Sequence, residues 1–289
     1  MVEPMTDWTG ISRRNARSVQ TAIGWIYWDP GALARYAALG VEGPLGYIAV
    51  RAAPLASAGA EAVVAAFGSI TPLGIAIAMD VVERNTTYEE LCAARDEAVL
   101  EGLAEHAPSL MGPLADFGPR LWDVVDRLPR LGRVFFAAHL HRARPEDPVL
   151  SGWHAVNCMR EWRGDTHWAI VAASGLTGAE SSILHNAWVG YEGDWLAQSR
   201  GSTSEEVAAG WASLADKGLA VDGEVTPAGI RLRQEIEDRT DTVGEQPWRL
   251  LGEEDSVRFA EAFEGPCELL LARVDETAGT KYMPASRVR

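Results

Sequence analysis

Between residues 149 and 173 the chain concentrates side chains that could do chemistry: Trp153, His154, Glu161, Arg163, Asp165 and His167. A histidine near a carboxylate or arginine can move a proton close to neutral pH, and an arginine can hold a polar or anionic ligand group. His154, Asp165 and His167 are therefore the candidate acid–base residues. Tyr47, Arg51, Trp153, Glu161, Arg163, His185 and Trp188 are the candidate ligand-binding residues. On a helix of about 3.6 residues per turn, His154, Cys158, Glu161 and Asp165 share one side, and Arg160, Arg163, Gly164 and His167 share another. Asp165 and His167 are two positions apart and point roughly oppositely. A simple dyad of these two is not expected; an Arg163–His167 pair, or a His154–Glu161 pair through one water, is.

Arg51 and Tyr47 stand in an apolar stretch, residues 47–55, one helical turn apart on one face. If that stretch is buried, the guanidinium needs a carboxylate or an anionic ligand. His185 belongs to the next helix; with His154 and His167 it would make three histidines, but the spacing does not demand a metal, and none is expected. No nucleophile elbow, phosphate loop or dinucleotide fingerprint is present. The glycines of residues 40–46 lack a preceding strand. No cofactor is expected.

Helices must position these groups. Apolar periodicity and capping residues predict helices over residues 12–28, 60–67, 72–82, 88–105, 116–128 and 133–142, then a long helix over 149–173 in which Gly164 either bends the axis or admits a second backbone. Arg144-Pro145-Glu146-Asp147-Pro148 is the best linker. It divides the chain into a helical domain, residues 1–145, and a second domain, residues 146–289. The apolar run 62–82 is broken by Gly68, Pro72 and Gly74 and reads as two buried helices, not a membrane span.

Composition narrows the function classes. The 289 residues carry a net charge of −15, which repels phosphate backbones on average and gives no general attraction to anionic membranes. Cys92, Cys158 and Cys267 are odd in number and widely spaced, as free buried thiols of a cytoplasmic protein would be. Of eleven tryptophans, six lie between Trp153 and Trp211, which suits either core packing or an aromatic-lined pocket. Residues 116–144 form the one cationic stretch, with Arg120, Arg127, Arg130, Arg133, Arg142 and Arg144.

From Thr177 the pattern becomes specific. Helices over 178–189 and 194–199 precede Ser202-Thr203-Ser204-Glu205-Glu206, which offers two overlapping capping boxes. The next helix, 204–217, places Val207, Ala208, Trp211, Leu214 and Ala215 inward and Gly210 outward, and Gly218 ends it. A hairpin turning at Asp222-Gly223 follows, and Thr226-Pro227 opens another helix. This order resembles the winged helix of MarR-type regulators, in which the second helix of the pair enters the DNA major groove. Here that helix presents Glu205, Glu206 and Asp216 and no Arg, Asn or Gln to read bases. Basic help comes from Arg200, Arg231 and Arg233. Conventional DNA binding is therefore disfavoured.

A wider resemblance is carried by residues 46–55, by Trp153-His154-Ala155 and Arg160-Glu161-Trp162-Arg163-Gly164-Asp165-Thr166-His167, and by later segments around Gln198-Ser199-Arg200-Gly201, Thr226-Pro227-Ala228-Gly229, residues 235–241 and Pro247-Trp248. On these the chain resembles an actinobacterial family of SalK-like helix-turn-helix proteins. Thr166 and Ser202 depart from its pattern. The resemblance implies a mainly α protein, a helical N-terminal part, a winged-helix C-terminal part with a small β wing, and a setting in specialised metabolism. Residues and resemblance together lead to a small-molecule-binding protein on a winged-helix scaffold, with an apolar or aromatic ligand. The alternatives are a cofactor-independent isomerase or cyclase and, after it, a DNA-binding regulator. A homodimer is expected, with residues 256–274 as the candidate interface.

Overall fold

The computed structural model describes residues 6–287. The described chain is mainly helical, and its boundaries follow local capping. Asp7 caps α1 (Trp8–Gly24), which tightens into a 3-10 turn over Trp25–Trp28. Asp29 accepts the Gly31 N–H and Pro30 opens α2 (Pro30–Ala38). Then come α3 (Leu45–Ala52), α4 (Ala60–Phe67), α5 (Pro72–Asn85), α6 (Tyr88–His106), α7 (Met111–Arg127), α8 (Val134–Leu140) and the long α9 (Pro148–Ala173). Beyond it lie α10 (Gly178–Trp188), α11 (Trp195–Ser199), α12 (Ser204–Asp216), a hairpin of β1 (Ala220–Val221) and β2 (Glu224–Val225), α13 (Pro227–Val243), α14 (Glu245–Leu251) and α15 (Glu253–Thr277). Reciprocal capping boxes start three of these helices, Thr87 with Glu90, Thr177 with Glu180 and Thr203 with Glu206; each satisfies N–H groups that the first turn leaves unpaired.

α9 is the spine. Trp153 and Trp162 on it are fully buried, and the Trp153 indole donates to the Ala22 carbonyl of α1 at 2.9 Å. α7 lies along it at a glycine contact: a Cβ on Gly152 would fall 1.9 Å from the Leu114 carbonyl oxygen, so only glycine allows this approach. α1 also packs on α13 and α15, and Arg14 and Arg17 pair with Glu264 and Glu268. One apolar core thus runs from Val19 to Val274, and both sides of residue 145 contribute to it. The inner face of α15, Phe259, Phe263, Cys267, Leu270 and Val274, is consumed within this core. A smaller core joins the end of α9 to α10, α12, β1 and α13 through Ile170, Leu184, Leu214, Ala220 and Ile236. In the hairpin Ala220 pairs with Val225, and both Asp222 and Gly223 have positive φ, as a two-residue turn of matching twist requires.

Two local expectations change. No second backbone meets Gly164, and the helix runs through it unbroken. On α12 the inward face is Val207, Gly210, Trp211 and Leu214, while Ala208 and Ala215 are exposed, because α10 comes close enough that a Cβ on Gly210 would sit 2.9 Å from Ile183 Cδ1. The cationic stretch is largely partnered inside the chain: Arg120 with Asp255, Arg127 with Asp123, Arg144 with Asp126, and Arg133 stacked over Trp162. All three cysteines are free and buried. Among the described residues no helix is long and apolar enough to cross a membrane.

Candidate functional site

Residues 160, 161, 163, 164, 167 and 168 recur at the spacing of one helical face, and all six border a cavity of about 550 Å³. α1, α3, α10 and α13 supply the facing walls, with residues 199–201 and 282–286. This volume suits a drug-sized molecule. Aromatic and aliphatic groups, among them Trp28, Ile48, Phe67, Trp168, Trp188 and Trp195, form the apolar surface. Tyr282 closes on Trp28 and Trp195, with ring centroids 4.3 and 5.1 Å away. Gly164 contributes by omission: a Cβ there would meet only Glu161 Oε2 at 3.7 Å and Arg51 Nη2 at 3.9 Å, so the missing side chain leaves cavity space.

The polar groups form linked clusters. Arg51 reaches across from α3 and binds Glu161 through Nε and Nη2 at 3.0 and 2.8 Å, between the rings of Phe67 and Phe135. Arg160 binds the same carboxylate. Burial alone would raise the Glu161 carboxyl, but Arg51 and Arg160 outweigh it and hold it well below the usual carboxylate range. Arg51 Nη1 donates to the Tyr47 hydroxyl at 3.1 Å. Burial would raise that phenol too; the two arginines prevail and its pKa is lowered.

In the second cluster Arg163 Nη2 lies 2.7 Å from both Glu237 and Asp241. Arg233 shares Glu237 at 2.7 Å and stacks over Trp188, and Arg13 shares Asp241 at 2.9 Å. The Thr240 hydroxyl gives its proton to the Ile236 carbonyl, so it must accept from His167 Nδ1 at 3.1 Å. This assigns the proton to Nδ1 and leaves Nε2 as a lone pair. Burial, opposed by Glu237 and reinforced by Arg233, Arg163 and Arg200, pushes the His167 pKa down to about 3. His185 is held well below its ordinary value by burial and by Arg233 and Arg200, and its buried Nε2 has no partner.

Seven arginines border the cavity, Arg13, Arg17, Arg51, Arg160, Arg163, Arg200 and Arg233, against three carboxylates, Glu161, Glu237 and Asp241. The chain as a whole has the opposite balance.

The structure therefore brings Tyr47, Arg51, Glu161, Arg163, His167, His185 and Trp188 to one cavity. It places the other three candidates elsewhere. Trp153 is sealed in the core. His154 precedes Glu161 by two turns, about 10 Å along the axis, where α6 covers the helix; it lies 3.2 Å from Asp96, not against Glu161. Asp165 accepts the Phe136 N–H at 2.9 Å and so caps the start of α8. Arg163 pairs with carboxylates of α13 and not with His167. Among the described residues no three His, Cys, Asp or Glu side chains converge as a metal site would require.

The sequence does not mark several lining residues as ligand contacts: Arg160, Arg200, Arg233, Glu237, Asp241 and Trp195. Arg200 and Arg233, which along the sequence read as basic support for a DNA-facing helix, both line the cavity, and Arg233 is only 3% exposed. Only Arg231 of that trio is exposed to solvent. The exposed face of α12 shows Glu205, Glu206, Ala208, Ala209, Ala212 and Asp216, and Lys217 is tied to Glu180 at 2.6 Å.

No curated protein and no solved structure matches the chain. A family match spans residues 12–276, which takes in the cavity walls, α9 and the segment from α10 to α13. By that match the chain belongs to the helix-turn-helix family.

Proposed function

We propose that this helix-turn-helix protein binds a small molecule with an aromatic or apolar body in the cavity between α1, α3, α9, α10 and α13. The observation that carries this reading is the cavity itself: about 550 Å³, walled by aromatic rings, with a few convergent polar groups. α10, α12, the hairpin and α13 are then a winged-helix scaffold of MarR-like order, turned to ligand binding by directing Arg200 and Arg233 inward. An acid–base enzyme built on His154, Asp165 and His167 is less well supported, since only His167 borders the cavity.

The test is equilibrium binding of N-phenyl-1-naphthylamine, a neutral fluorescent aromatic, to the wild type and to Gly164→Leu. Saturable binding that the leucine abolishes, with the fold retained by circular dichroism, supports the reading. Equal binding by both proteins sinks it.

Family membership favours a second reading, DNA binding through α12. Its three exposed carboxylates oppose phosphate contact. Retention of the flanking promoter in a low-salt gel shift, lost on substitution of Ala212 by Glu, would establish it.

A further inference from the structure

The charges of the cavity do not close on themselves. Glu161 answers Arg51 and Arg160 together. Glu237 and Asp241 answer Arg163, Arg233 and Arg13. Arg200 has no such partner. Its Nη1 donates to the neutral Ser182 hydroxyl at 2.8 Å, and among the described residues no carboxylate lies within ion-pair distance of it. Another cation, Arg233, stands within its electrostatic reach; burial lowers the Arg200 pKa to about 10, with Tyr47 opposing that shift and Arg233 adding to it. Arg233 in turn keeps an Nη1 without an acceptor. Arg200 is half-buried; a partly desolvated guanidinium without a counter-charge is costly, and an anionic ligand offsets that cost. The surroundings do not offer a counter-charge, because the lining carboxylates are already shared.

We infer that the ligand of this cavity carries an acidic oxygen group, a carboxylate, sulfonate or phosphate, which docks on Arg200 beside Arg233 while its aromatic body lies along Trp168, Trp188 and Trp195. The inference rests on the cavity being a binding site. A planar guanidinium suits the paired oxygens of such a group, and the two arginines lose their mutual repulsion when an anion sits between them. Tyr47, within electrostatic reach of Arg200, supplies a hydroxyl to the same region.

The experiment is calorimetric titration with four ligands of one body: 1-naphthamide, 1-naphthoate, 1-naphthalenesulfonate and 1-naphthyl phosphate. At least one acid binds about tenfold or more tightly than the neutral amide, and which acid does so identifies the head group. Arg200→Gln removes that preference; Arg200→Lys retains part of it. Arg200→Gln also melts no lower than the wild type without ligand, because it deletes an unanswered charge. An amide that binds as well as every acid, or an acid preference that survives in Arg200→Gln, overturns the inference while leaving the cavity reading intact. A clearly lower melting temperature for Arg200→Gln also overturns it, since the guanidinium would then be serving the fold. Silence of all four compounds, with N-phenyl-1-naphthylamine also failing to bind, removes the cavity reading and this inference together.

Discussion

Arg51 and Glu161 meet through two parallel hydrogen bonds, although they stand 110 positions apart on α3 and α9. Glu161 serves Arg160 as well, so the two ends of the pair are unequal. Glu161→Gln strips two buried arginines of their counter-charge and is expected to cost about 3–5 kcal/mol. Arg51→Gln leaves the carboxylate neutralised by Arg160 and is expected to cost distinctly less. Urea denaturation of both variants gives the order, and equal losses would contradict a shared carboxylate.

Gly164 faces cavity space in regular helical conformation. Gly164→Ala adds a methyl at ordinary contact distance and removes glycine's unfolded-state entropy. Stabilisation of about 0.5–1 kcal/mol is expected, read from the same denaturation curves. Destabilisation would mean that the helix needs glycine there for a backbone reason.

Gly152 makes the opposite forecast. Its position against Leu114 leaves no room for a methyl, and both partners are helix backbone, which cannot step aside cheaply. Gly152→Ala is expected to lose about 3 kcal/mol or more, visible as a lowered thermal midpoint. A neutral result would show that α7 and α9 are not so closely packed.

Burial pushes the Asp165 carboxyl up to about 7, although it accepts the Phe136 N–H. The unfolded value is about 3.9. The folded chain therefore keeps a proton that the unfolded chain releases, and the stability from this group is present at low pH and lost as pH rises through about 7. Asp165→Asn keeps an acceptor for Phe136 and never ionises. Its melting temperature relative to the wild type should climb between about pH 5 and about pH 8. A difference that stays constant with pH would contradict a buried, neutral Asp165.

The histidines act with the opposite sign. Burial lowers His139 to about 4 and His167 to about 3, and lowers His154 and His185 as well. Their unfolded value is about 6.5. Stability from them is complete above that value and is lost as pH falls through about 6 towards 4, where the unfolded chain takes up protons that the folded one refuses. These histidines outnumber Asp165, so the wild-type melting temperature should fall from about pH 7 to about pH 5. His139→Gln should flatten that slope, and an unchanged slope would argue that His139 is protonated in the fold.

What could be read along the chain was local. Thr87, Thr177 and Thr203 each stand three residues before a glutamate, and each starts a helix, because a capping box closes within four residues whatever the rest of the molecule does. Asp222-Gly223 marks the hairpin for the same reason: backbone conformations with positive φ are a property of the residues that adopt them. Periodicity also put Arg51 on an apolar helix in need of a partner. It could not say which carboxylate, since ion pairing across 110 positions depends on how α3 crosses α9. His154 and Glu161 share a helical stripe, yet only one borders the cavity, because α6 covers one level of α9 and not the other. Arg200 and Arg233 flank α12 and the hairpin in sequence, and only the docking of α10 and α13 against α1, α3 and α9 turned their charges inward. Capping and turn chemistry are decided over a few residues. A cavity is the space that distant helices fail to fill, and it exists only once they have packed.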